Sequence, residues 1–208
     1  MKPGNRVPSL CLGAALVLLV GSLALSRDRF TWVLETFPVL LGLPILVLTY
    51  RRFRFSDWMY AFLVLHTLIL CTGGVYTYAN VPLGFWMQKW FGFARNHFDR
   101  IGHFAQGFIP AMLTRELLLR TSPLRRGRWL NFLTLATCLA VSACYELIEA
   151  ATAIGMGTTA DAFLGSQGDR WDAQYDMLFA LIGAASYLVL LTRAHDRFIP
   201  AGPAADAR

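Results

Sequence analysis

Charge is scarce in this chain of 208 residues: 15% are Asp, Glu, Lys or Arg, while 56% are hydrophobic. A mean hydropathy of +0.47 lies above that of soluble domains, and the apolar residues are gathered into long runs, which is the signature of a polytopic membrane protein. Cysteine is sparse too. Cys11, Cys71, Cys138 and Cys144 all fall within apolar runs, so they read as small buried residues and not as a disulfide framework or a zinc site. No internal repeat is evident, and no dedicated metal motif such as HExxH occurs. The net charge of +6 does not indicate nucleic acid, because the basic residues sit in short clusters between apolar runs. In a membrane protein such clusters set orientation.

What the chain does contain is six apolar runs, at about 7–25, 32–50, 58–78, 98–119, 129–150 and 174–191. They predict an all-α fold, a single membrane domain of about six transmembrane helices. The first run follows Lys2 and Arg6 and has about 19 residues, longer than the core of a signal peptide and suited to a retained helix. The second carries Pro38 and Pro44 and is expected to kink. Residues 81–96, VPLGFWMQKWFGFARN, are aromatic-rich and too interrupted to span. They predict an interfacial segment. Residues 196–208 read as a loose polar tail. With both termini placed in the cytoplasm, inner segments hold twelve Lys and Arg against six outside. The positive-inside rule therefore favours that orientation in a bacterial inner membrane.

This topology gathers ionisable groups at the outer face. Helix four would begin there with Asp99, Arg100 and His103, helix five would end there with Glu146 and Glu149, and helix six would begin with Asp169, Asp172 and Asp176. The three aspartates are spaced i, i+3, i+7 and would form one column on a helix. Ionisable groups near hydrocarbon need partners or water, so the convergence marks a candidate site. Carboxylates with a histidine suit a divalent cation, the ligands being Asp169, Asp172, Asp176 and Glu149. His103 with Asp99 or Glu146 would make an acid–base pair. Arg100 and Arg170, with Gln167 and Gln174, would hold a lipid phosphate or another small ligand. The competing readings are interhelical glue, and a small ion-coupled transporter using His66 in the third run. Enzymatic activity, a cofactor beyond a divalent cation, and protein partners are left open by the residues.

The segments YTYANVPLGFW (Tyr76–Trp86), FDRIGHFAQGFIPAMLTRELLLR (Phe98–Arg120), YELIE (Tyr145–Glu149) and FLGSQGDRWDAQYDM (Phe163–Met177) resemble the YjdF-like bacterial inner-membrane proteins, a family with a domain-of-unknown-function label. The resemblance implies the helical membrane architecture and no established activity. Its characteristic residues correspond to Asp99, Arg100, His103, Glu146, Glu149, Gln167, Asp169, Asp172, Gln174 and Asp176. The order of an Asp-x-x-x-His-Phe motif, a glutamate and an aspartate-led last helix is similar, more distantly, to VanZ-like membrane proteins. The last helix of those proteins reads D-x-x-x-N-x-x-G, whereas here Asp176 and Phe179 stand at the Asn and Gly positions.

Overall fold

The protein is described from a computed structural model that covers residues 6–156 and 166–200. Its helices are α1 (Arg6–Leu25), α2 (Arg29–Thr49), α3 (Asp57–Tyr76), α4 (Pro82–Phe91), α5 (Phe98–Thr121), α6 (Arg128–Met156), α7 (Asp172–Leu190) and a short α8 (Thr192–His195). A 3-10 turn, Tyr78–Asn80, joins α3 to α4. All six long helices start and stop within a few residues of the apolar runs, except that α6 continues to Met156.

Helices α1, α2, α3, α6 and α7 are long and apolar enough to cross a membrane. With 24 residues, α5 is about 36 Å long at 1.5 Å per residue, enough for a bilayer core of about 30 Å. It carries more charge than the others, and it is also the hub: it packs most extensively on α7, then on α6 and α3. Arg100, His103, Arg115, Glu116 and Arg120 are all buried on it. Its charges therefore face protein, as intramembrane ionisable groups must.

Close approach of α5 and α7 depends on two glycines. A Cβ on Gly107 would run into the Ala180 carbonyl, and one on Gly183 would run into the Phe104 carbonyl. Small residues at a membrane helix crossing let the backbones meet in this way. Above this crossing, toward the start of α5, Tyr78 fills the space left by Gly73 and Gly102.

Local chemistry explains the helix ends and one lateral tie. Asp28 caps α2 by accepting N–H groups from Phe30 and Thr31, and it also accepts the Thr31 hydroxyl at 2.7 Å. The Thr31 hydroxyl bond, opposed by burial and helped by the two N–H groups, holds the Asp28 carboxyl below its usual range. Pro38 has no N–H to give to Leu34, four residues back. The freed Leu34 carbonyl accepts the Tyr145 hydroxyl at 3.1 Å, tying α2 to α6.

Three expectations change. Asp169 lies before α7, in a turn where Gln167 and Gly168 take φ values of 49° and 84°, so the aspartates do not form one helical column. Asp196 is bonded to Arg115 and Arg126 instead of beginning a loose tail, and residues 201–208 lie outside those described. Of the cysteines, all free thiols, Cys71 and Cys138 are buried but Cys144 is exposed on α6. Its position within an apolar run does not bury it, because a membrane helix presents apolar side chains outward.

Candidate functional site

At one end of the bundle the start of α5, the end of α6 and the turn leading into α7 meet, and six carboxylates gather there with Arg95, Arg100 and His103. The cluster has two halves with different chemistry.

The first half is a set of ion pairs. Arg100 donates from Nη1 to Asp176 and to the Asp172 carbonyl, and from Nη2 to Asp172 Oδ1 at 2.7 Å. Asp169 Oδ2 lies 3.5 Å from both Arg95 and Arg100. Arg95, on the segment between α4 and α5, donates to Asp172 and to the Ser166 carbonyl. Thus Asp169, although off the helix, still joins its two neighbours around the guanidiniums. Arginine's planar fork suits this multiple pairing.

The segment carrying Arg95 is fixed by amides. Gln167 accepts the Asn96 N–H at 3.1 Å and donates to the Asn96 carbonyl at 2.8 Å. Asn96 is itself buried, donating to the Val81 carbonyl and accepting the Phe98 N–H at the start of α5. Its side chain packs so tightly on Gly84 that a Cβ there would overlap it. Beside it, burial and then the Arg95 and Arg100 charges hold His97 below the usual histidine range.

The second half centres on His103. Its Nε2 lies 3.4 Å from Asp99 Oδ1 and 3.6 Å from Asp176 Oδ1, whereas Nδ1 lies 3.9 Å from Glu146 Oε1. Both Nδ1 and Glu146 Oε1 are buried and meet no hydrogen-bond partner among the described residues. The same is true of Ser142 Oγ, one turn before Glu146 on α6. Buried polar atoms are rarely left in this condition without a reason. His103, Glu146 and Glu149 each offer a ligand atom within 4.8 Å of the others, and Asp99, His103 and Asp176 form a second such group.

These halves redistribute the residues singled out by sequence. Asp99, Arg100, His103, Glu146, Glu149, Asp169, Asp172 and Asp176 come together, and Gln167 braces the turn beside them. Arg170 is exposed with its guanidinium 4.9 Å from the Trp171 ring, and Gln174 is exposed on α7 away from the buried Asp172 and Asp176. His66 sits at the middle of α3, far along the chain from this end. Sequence reasoning missed Arg95 and Asn96. Asn just before a helix is a capping signal, and Asn96 accepts the Phe98 N–H; no local pattern marks Arg95.

A chain of long apolar helices packed around a charged central helix is a polytopic helical membrane protein. It belongs to the family described as "Predicted membrane protein (DUF2238)", which matches residues 7–197. It is 45% identical over 172 residues to the inner membrane protein YjdF of Escherichia coli (strain K12), covering 83% of this chain and 82% of that protein. No solved structure matches. The VanZ-like resemblance has no counterpart among these findings.

Proposed function

We propose that the polar end of the bundle binds a divalent cation, through His103 Nδ1, Glu146 and Glu149, at the outer face of the bacterial inner membrane. The observation that carries this reading is the pair of buried atoms without a hydrogen bond, His103 Nδ1 and Glu146 Oε1, which lie 3.9 Å apart. With Nε2–H shared toward Asp99 and Asp176, a neutral His103 would keep its lone pair on Nδ1, the tautomer a metal needs. A carboxylate behind a ligating histidine is the usual outer-shell arrangement.

Charge balance favours a cation over a phosphate. Six carboxylates, with the buried Glu35 of α2 near them, face two guanidiniums, and the donors of Arg100 are already occupied by aspartates. Two carboxylates within 4.8 Å of one another, if both ionised, repel by at least about 3.5 kcal/mol at an effective dielectric of 20, and a divalent ion removes that penalty. One imidazole and two carboxylates suit zinc, manganese or ferrous iron. The Arg95/Arg100 half takes the role of interhelical glue, holding α5 against α7. The inner-membrane location follows the relative's name, and the outward placement follows the bias of basic residues. The exposed aromatics of α4, Trp86 and Trp90 among them, support an interfacial position for that helix.

Purified protein, stripped with a chelator and reloaded with zinc, manganese or iron(II), should retain close to one ion per chain, whereas His103→Asn and Glu149→Gln should retain little. Equal retention by wild type and both variants would overturn the assignment.

A further inference from the structure

A second feature lies in the other half of the bundle. Helices α1 and α2 each pack on α3 but touch one another little. Between them runs a cavity of about 230 Å³, bounded by the first half of α1 (Pro8 to Ala15), the last half of α2 (Pro38 to Tyr50) and α3 from Tyr60 to Leu70. Its walls are largely apolar. Ser9, Tyr50, Tyr60 and Thr67 bring hydroxyls to the walls, Thr67 bonding the Leu63 carbonyl and Tyr60 the Phe55 N–H, whereas His66 has an Nε2 that is buried and meets no hydrogen-bond partner among the described residues. Pro38 lines the crevice, and Gly42 leaves open space on the α2 wall.

His66 stands nine residues from one end of α3 and ten from the other, about 13–15 Å along the helix from each. That is mid-membrane depth. A buried polar atom there needs a polar partner. Phospholipid headgroups remain at the interface, so their acyl chains would fill the apolar walls but leave Nε2 unbonded. A lipid whose polar ring dissolves in the hydrocarbon meets both demands.

We infer that this crevice binds an isoprenoid quinone, with one ring carbonyl accepting a hydrogen bond from His66 Nε2–H and the apolar tail lying between α1 and α2. The site is independent of the metal cluster, being placed on different helices. Binding alone is inferred, with no electron transfer.

The test uses full-length protein in detergent with decylubiquinone as the probe, bound quinone being measured by absorbance after gel filtration. Wild type should retain the probe saturably. His66→Leu should lower affinity by about five- to tenfold, the loss expected for one buried hydrogen bond. Gly42→Leu, which only narrows open space, should weaken binding with His66 intact. Decylbenzene, which has the chain but no carbonyl, should fail to displace the probe. Retention no greater than in a detergent blank, equal retention by all three proteins, or equal displacement by decylbenzene would each overturn the assignment.

Discussion

The two ends of the bundle bury similar chemistry and treat it differently. At the basic end, Glu116 on α5 is fully buried, yet both of its oxygens are engaged. They accept the Ser56 N–H and hydroxyl and Arg120 Nη1, and Oε2 lies 3.4 Å from His195 Nε2. His195 reaches Ser56 through one ring nitrogen and Tyr187 through the other. The leftover atoms here are the Nε donors of Arg54 and Arg120. Arg120 also lies 3.9 Å over the Phe53 ring, where a cation is favoured. At the acidic end the leftover atoms are a histidine nitrogen, a carboxylate oxygen and a hydroxyl, all capable of ligating a cation. The end whose acceptors are met reads as construction, and the end that leaves acceptors unmet is the one proposed above as a site. Burial alone did not distinguish them; satisfaction of lone pairs did.

The largest effects should come from breaking what is saturated. Glu116→Ala strands Ser56, Arg120 and His195 together. It should destabilise the protein by about 3–5 kcal/mol, the loss typical of a buried charge deprived of its partner, seen as a collapse in the yield of monodisperse protein. Arg100→Ala strands Asp176 and leaves Asp172 to Arg95 alone, and should have an effect of the same order, read as a large drop in melting temperature.

Changes within the unsaturated half should behave oppositely. Glu146→Gln removes one negative charge from a set already short of positive charge. Metal-free stability should therefore change by less than about 1 kcal/mol, or rise, since no made bond to Oε1 is lost. A drop as large as that of Glu116→Ala would erase the contrast between the ends.

The smallest effect is a pH response at the basic end. Burial raises the Asp196 carboxyl, but bonds and charge from Arg115 and then Arg126 outweigh it and hold the group below its usual range. A depressed folded value means that the stabilisation is complete above the unfolded carboxylate value and is lost as pH falls through the folded one. Wild type should lose this small contribution as pH falls below the ordinary carboxylate range, about pH 4, and Asp196→Asn should lack this component in thermal melts taken at falling pH.

Much of the architecture was legible because membrane crossing demands long apolar runs, and their ends matched α1 to α3, α5 and α7 closely, as did the start of α6. The convergence of Asp99, His103, Glu146 and the α7 aspartates was legible from alternation of helix direction alone. What the sequence could not reveal was which groups neutralise one another. Arg95 and Arg100 claim the aspartates across about 70 residues of chain, and this leaves the glutamates of α6 as the open ligands. The metal set expected from the sequence was Asp169, Asp172, Asp176 and Glu149; the site proposed above keeps Glu149 and puts His103 and Glu146 in place of the aspartates. His195 and Asp196 escaped notice because their partners lie on α3, α5 and α7, and no local pattern announces a tertiary bond.

The most direct test of the contrast between the ends is metal-dependent thermal stability of chelated wild type, Glu149→Gln and Asp196→Asn, each melted with and without zinc or manganese. An ion that binds only the folded protein raises its melting point by mass action. Wild type and Asp196→Asn should gain equally from the ion and Glu149→Gln should gain nothing. If all three gain alike, or none does, the acidic end is not the cation site.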